Sequence, residues 1–133
     1  MAKLESFIRI VNVFTGAATR HNRALREIRD LIKELSDFLT EFGVSKKVFG
    51  NVVKARIDIS TLMYKIRKSE KAFGHIKSKK LMPLLLDVYN NLENVRVDVY
   101  NPQKGKVALD KNLSNLNASL EALTSAVSEI EFK

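Results

Sequence analysis

Seven apolar residues recur in the last quarter of the chain with steps that alternate between four and three positions. An α-helix turns once every 3.6 residues, so this spacing places all seven on one stripe, in a heptad pattern typical of coiled coils and helix bundles. A stripe of this length requires apolar partners from other helices, and this requirement constrains the fold more than any other feature. Its members are Leu109, Leu113, Leu116, Leu120, Leu123, Val127 and Ile130.

The same alternation runs through residues 3–42, and its phase is not reset at Gly16. Glycine in a helix costs about 1 kcal/mol relative to alanine. A break would normally shift the phase, so the pattern predicts one long helix over this range. The alternative is two helices that meet near Gly16, a short one over residues 3–15 and a longer one over residues 18–42.

The pattern predicts three further helices, over residues 45–73, 79–100 and 107–131. Gly43 is expected to end the first helix as a C-cap glycine, and Ser45 to begin the second as its N-cap. The segment Val95–Val99 alternates with period two, which permits a strand, but the heptad phase continues through it and favours a helix.

Short connections between the four helices make neighbours antiparallel. The sequence therefore predicts an all-α chain that forms one domain over residues 1–133, an antiparallel up-down four-helix bundle. The longest apolar run, Leu81–Leu86, is far shorter than the roughly 20 residues that span a bilayer. With no signal peptide expected at the N-terminus and no cysteine, we expect a soluble, cytoplasmic protein.

Catalytic and metal-binding motifs are missing from the sequence. The chain has no cysteine and two histidines, and it contains neither an HExxH motif, a Glu-x-x-His pair nor a glycine-rich phosphate loop. We therefore expect a protein that is not an enzyme and that holds no cofactor and no metal ion.

Positive charge is unevenly placed. Residues 1–80 carry 18 Lys and Arg against 8 Asp and Glu, whereas residues 81–133 carry 5 against 7, within a net charge of +8. This asymmetry indicates a polyanionic partner. The predicted binding residues, all between positions 46 and 80, are Lys46, Lys47, Lys54, Arg56, Lys65, Arg67, Lys68, Lys71, Lys77, Lys79 and Lys80.

Nucleic acid is the expected partner of these residues, bound through its backbone and without sequence specificity, because no DNA-binding or RNA-recognition motif is present. Tyr64 is the only aromatic ring near them that the pattern leaves exposed, which argues against stacking on bases.

A protein-interaction or self-association module, including a homo-oligomer, is the second hypothesis. The apolar residues before Gly16 lie on more than one stripe, and three alanines near the C-terminus form a stripe of small residues that another helix can approach closely. This interaction surface comprises Leu4, Phe7, Ile8, Val11, Phe14, Ala118, Ala122 and Ala126. A bundle that acts on anionic membrane surfaces ranks third.

Overall fold

The apolar stripes form helices. The structure, a computed structural model, describes residues 16–130, with side chains from residue 20 onward. Helices α1 to α5 span Gly16–Phe42, Ser45–Gly50, Val52–His75, Leu81–Tyr100 and Lys106–Ser128, and a 3-10 turn spans Pro102–Lys104. Four of the five are long, and the described residues contain no strand, so the all-α class is confirmed. The continuity of the first helix through Gly16 and the segment 3–15 lie outside the described residues.

Helices α4 and α5 bury the stripes that the heptad pattern predicts. The strand alternative for Val95–Val99 is wrong, because that segment completes α4. Ile130 is half-buried beyond the end of α5, which ends at Ser128, before the predicted boundary at 131. The buried stripe residues are Leu81, Leu85, Val88, Leu92, Val95 and Val99 on α4, and Leu109, Leu113, Leu116, Leu120, Leu123 and Val127 on α5.

Helix α1 buries most of the predicted stripe, but at two positions a neighbouring residue takes the place of the predicted one in the core. Leu31 and Phe38 are buried, whereas Ile32 and Leu39, which the strict alternation assigns to the core, are half-buried. A straight α-helix drifts by about 20° per heptad relative to a 3.5-residue repeat. Over a helix of 27 residues this drift is sufficient to exchange one neighbouring apolar position for another at the core.

The prediction of one helix over residues 45–73 is wrong, because a break at Asn51 divides it into α2 and α3. The Asn51 backbone leaves the helical region (φ −153°, ψ 69°), and its side chain accepts a hydrogen bond from the Lys54 N–H at 3.3 Å. Asn51 therefore caps α3. The Gly50-Asn51 pair is a turn signal, but the prediction followed the apolar periodicity that continues across it. Helix α3 then continues through Gly74 and ends at His75.

Ser45 does not act as the N-cap of α2. It is buried as the first residue of that helix, and Val44 precedes it as a cap without a side-chain hydrogen bond. The Ser45 N–H and hydroxyl donate to the two carboxylate oxygens of Asp110, at 2.7 and 3.0 Å. A residue of α5, distant in sequence, thus satisfies the free backbone donor at the start of α2.

Gly43 follows the end of α1, as predicted, but for a different reason. Gly105 is the only described glycine with positive φ, so Gly43 does not form a left-handed C-cap. A Cβ at position 43 would lie 2.4 Å from the carbonyl oxygen of Leu39. The absence of a side chain there permits the chain to pass close to the last turn of α1.

Each long helix packs against two others. Helix α3 contacts α1 and α4, and α5 contacts the same two helices. Contacts of Lys54 and Lys65 with Glu41 and Glu34, respectively, show that α1 and α3 run in opposite directions. The buried apolar side chains of the four helices form one cluster.

The junction of α4 and α5 also holds a buried polar pair. Asp98 is 5% exposed, and its carboxylate accepts a hydrogen bond from the side-chain amide of Asn112. A second bond joins the Asn91 amide to the Asn115 carbonyl at 3.4 Å. The two bonds show that α4 and α5 are antiparallel. The pair of Asp98 and Asn112 also favours this register of the two helices, because a shift would leave the buried carboxylate without its hydrogen-bond donor.

Two adjacent leucines of α4 provide a test of the core. Leu85 is 1% exposed and Leu86 is 46% exposed. We expect Leu85→Ala to lower the free energy of unfolding by about 2–5 kcal/mol, because it leaves a cavity. Leu86→Ala, the matched control, should change it by about 0.5 kcal/mol or less. Urea denaturation followed by circular dichroism measures both, and equal losses would contradict the assigned burial.

The contact between Asp110 and Ser45 is tested by Asp110→Ala. Removal of the carboxylate leaves the Ser45 N–H and hydroxyl without their acceptor, and we expect a loss of about 1–2 kcal/mol. Asp87→Ala removes an exposed carboxylate of α4 and is the control, with little expected effect. If both variants unfold at the same denaturant concentration, Asp110 does not stabilise the start of α2.

Candidate polyanion-binding surface

The predicted basic residues do not form one continuous surface. Lys46 and Lys47 lie in α2, before α3 begins, whereas Lys77, Lys79 and Lys80 lie in the connection after α3 ends. Helix α3 has 24 residues, so these two groups are separated by about 36 Å. A ligand that touches one group does not reach the other without following the whole length of α3.

Lysines on the side of α3 that faces α1 pair with acidic residues. Lys54 contacts Glu41 and also lies 3.2 Å from a carboxylate oxygen of Asp58, and Lys65 contacts Glu34. The hydrogen bond with Glu41 is the main reason that the pKa of Lys54 is raised above its ordinary value. Lys54 and Lys65 therefore lie on one side of α3, and the carboxylates of α1 neutralise much of their charge.

Lys68 lies on the same side of α3, without a direct partner among the described side chains. It is exposed and lines a shallow cleft together with Glu27, Asp30 and Glu34. Lys65 lines the same cleft, so three carboxylates lie beside two ammonium groups, and this excess of negative charge reduces the attraction of the position for a polyanion.

Arginines on the other side of α3 stack on tyrosines of α4. The Arg56 guanidinium lies 4.5 Å from the centroid of the Tyr100 ring, and Arg67 lies 5.4 Å from that of Tyr89. Arg67 also donates from Nε to the Tyr89 hydroxyl at 3.1 Å, and this bond is the main cause of the raised pKa of Arg67. The Arg56 Nε atom is buried and has no hydrogen-bond partner among the described residues.

Arg96 of α4 extends this group, and the sequence interpretation did not include it. Its guanidinium lies 5.8 Å from the Tyr100 ring and donates two hydrogen bonds to Glu93, at 2.9 and 2.6 Å. Tyr89, Glu93, Arg96 and Tyr100 follow the same 4, 3, 4 spacing as the core stripe, one position further along the helix. This spacing was the signal that could have revealed them.

The expectation that Tyr64 is the only exposed aromatic ring near the basic residues is wrong, because Tyr100 is also exposed and lies beside Arg56. Tyr89 and Tyr100 belong to another segment of the chain, and the packing of α4 against α3 brings them beside Arg67 and Arg56. Aromatic rings and cations therefore alternate at this helix junction.

Four lysines at the end of α3 and in the following connection remain exposed. None of them forms an ion pair or a side-chain hydrogen bond with the described residues, and we call this group the lysine end: Lys71, Lys77, Lys79 and Lys80. Lys46 is likewise exposed at the opposite end of the protein, whereas Lys47 donates to the carbonyl of Thr40 at 3.3 Å.

The predicted interaction surface is only partly described. Leu4, Phe7, Ile8, Val11 and Phe14 lie outside the described residues. Ala118 and Ala122 are exposed on α5, and Ala126 is half-buried.

The larger exposed apolar side chains of the described residues lie mainly on α3 and α4. Those on the two helices are Val53, Ile57 and Tyr64 on α3, and Leu86 and Tyr100 on α4, and the others are Val44 and Val107.

The described residues contain no group of three or more side chains that could hold a metal ion, and none of their helices is long and apolar enough to cross a membrane. A cleft of about 520 Å³ lies between α1 and α5, and its charged lining groups are Lys46 and Asp110, the latter already bonded to Ser45. No family model matches the chain, and no curated protein or solved structure is significantly similar to it.

The contact between Glu93 and Arg96 predicts a pH dependence. The hydrogen bond from Arg96 lowers the pKa of the Glu93 carboxyl. A carboxyl group with a lowered pKa stabilises the fold above its ordinary pKa, and this contribution is lost as the pH falls through the lowered value. In Arg96→Gln we expect Glu93 to titrate at higher pH, as measured by NMR of the side-chain carboxyl carbon. An unchanged titration would show that Arg96 does not hold Glu93.

Proposed function

We propose that this protein is a non-enzymatic antiparallel up-down four-helix bundle that binds the backbone of nucleic acid without sequence specificity, as a small subunit of a larger assembly. The observation that carries the proposal is the lysine end, where four exposed ammonium groups have no described partner. The contacts of α1, α3, α4 and α5 support the bundle architecture and a single domain. The cysteine-free chain suits a reducing compartment, and we place it in the cytoplasm.

The lysine end has the properties that a phosphate-binding surface needs. Its lysines are exposed and have long, flexible side chains, so their ammonium groups can adjust to the positions of the phosphates along a backbone. Helix α1 runs antiparallel to α3, which brings its N-terminal turns to the same end, where Arg23 and Arg26 are exposed. Neutralised phosphates release counterions, so affinity of this kind falls steeply as salt rises.

A pair of charge-matched variants tests this proposal. In the first, all four residues of the lysine end are replaced by Gln. In the second, four exposed lysines near the opposite end are replaced in the same way: Lys46, Lys104, Lys106 and Lys111. The two variants have the same net charge, which separates a local surface from a general attraction.

Binding to a random-sequence duplex is measured by fluorescence anisotropy over a range of salt concentrations. We expect the first variant to bind more weakly and with a reduced salt slope, by up to about 0.9 for each phosphate contact removed. The second should retain most of the affinity. Equal losses would show that net charge alone governs binding, and a wild-type protein that binds neither this duplex nor a single strand at low salt would refute the function.

A further inference from the structure

Two of the three tyrosines of the chain lie at the junction of α3 and α4, and the third, Tyr64, lies on the exposed outer side of α3. Tyr89 and Tyr100 contact arginines of α3 across this junction, and Tyr64 precedes Arg67 by three positions, which makes the two neighbours on the helix surface. Tyr64 is 65% exposed and Tyr100 is 46% exposed, so much of both rings lies in water. We call this group the tyrosine–arginine face: Arg56, Tyr64, Arg67, Tyr89, Arg96 and Tyr100.

The tyrosine–arginine face is positively charged. It carries three guanidinium groups and two nearby carboxylates, because Glu93 pairs with Arg96 and Glu70 acts on Arg67 through space, so a net positive charge remains. The other side of α3 differs, because its lysines alternate with the acidic residues of α1. An anionic ligand is therefore attracted to the side of α3 that faces α4 and repelled from the acidic edge of α1.

The face is continuous with the lysine end. Lys71 lies four positions after Arg67, on the same outer side of α3 as Tyr64. From Arg56 to Lys71 the helix rises by about 22 Å. A single strand of a few nucleotides is long enough to cover this length. A strand that runs from the lysine end along this side of α3 can therefore reach the exposed rings of Tyr64 and Tyr100.

We propose that the nucleic acid bound at the lysine end is single-stranded and that its bases stack on the tyrosine–arginine face. This inference rests on the proposed polyanion function and names its substrate class. Unpaired bases expose their faces, which stack on aromatic rings and on guanidinium planes, whereas a duplex keeps those faces inside its own stack. Base stacking tolerates any sequence, which agrees with the lack of a base-reading motif.

An acidic protein is the competing occupant, because tyrosine and arginine are also enriched in protein interfaces. The continuity of the face with the lysine end favours nucleic acid. A protein interface is typically an apolar centre depleted of charged residues, whereas this face is one part of a longer row of cations and rings. The experiment therefore includes an acidic polypeptide without bases.

The chain provides its own reporter for the experiment, because it contains no tryptophan and all three tyrosines lie on or beside the proposed site. The probes are an oligothymidylate of about 15 nucleotides, a duplex of the same length and poly-L-glutamate. Affinity is measured by anisotropy of labelled probes at constant salt, and occupation of the face by intrinsic tyrosine fluorescence with unlabelled ones. We expect the oligothymidylate to bind more tightly than the duplex and to quench the tyrosine emission.

Two pairs of variants separate stacking from folding. Tyr64→Ala with Tyr100→Ala removes both exposed rings and should weaken oligothymidylate binding by about tenfold or more, with little change for the duplex. Tyr64→Phe with Tyr100→Phe retains the rings and should retain the affinity. Circular dichroism verifies that each variant is folded.

The possible failures are distinguishable. Absence of binding to either nucleic acid at low salt refutes the proposed function, and the inference with it. Salt-dependent binding with equal affinity for both nucleic acids, no quenching and no effect of the alanine variants overturns the inference alone. If poly-L-glutamate changes the tyrosine emission and the oligothymidylate does not, the face binds an acidic protein. That result would also overturn the inference.

Discussion

Removal of four apolar helix stripes from water is the interaction on which the rest of this structure depends. Each of the four helices is amphipathic and would be unstable alone. Their apolar stripes form one buried cluster. Helix α5 shows the dependence most clearly, because its outer positions are largely Asn, Ser and Thr, which are mediocre helix formers. Its stripe from Leu109 to Val127 is satisfied by the other helices of the same chain, so it needs no second chain.

This packing also determines which charged side chains of α3 are neutralised. The helix lies between α1 and α4, and its two sides contact different types of side chain. Toward α1, ammonium groups such as that of Lys65 meet carboxylates, and exposed pairs of this kind contribute little to stability while they cancel charge. Toward α4, Arg56 and Arg67 stack on tyrosines and keep their charge. The positive charge of the described residues is therefore least neutralised at the lysine end and at Arg56 and Arg67 of the tyrosine–arginine face.

Polar contacts between distant segments complete the fold. Asp110 supplies the acceptor for the buried start of α2, 65 positions earlier in the chain, and Asp98 accepts from Asn112 beneath the turn that joins α4 to α5. The sequence analysis assigned no role to either carboxylate, because each one only adjoins an apolar stripe. Their roles depend on a neighbouring helix, and a prediction from local pattern has no means of finding them.

The sequence by itself determined the four long helices, because hydrophobic periodicity is a local property that a single helix expresses without its neighbours. It also located the turns near Gly43 and Asn101–Gly105, and the core positions of α4 and α5. It missed the break at Asn51 and the exchange of Ile32 for Leu31 in the core of α1, where a cap and helical drift overrode the strict heptad. Only the tertiary structure decided which charged residues are neutralised and which rings stand beside cations. The partner of an exposed side chain belongs to another helix, and its identity follows from packing and not from spacing.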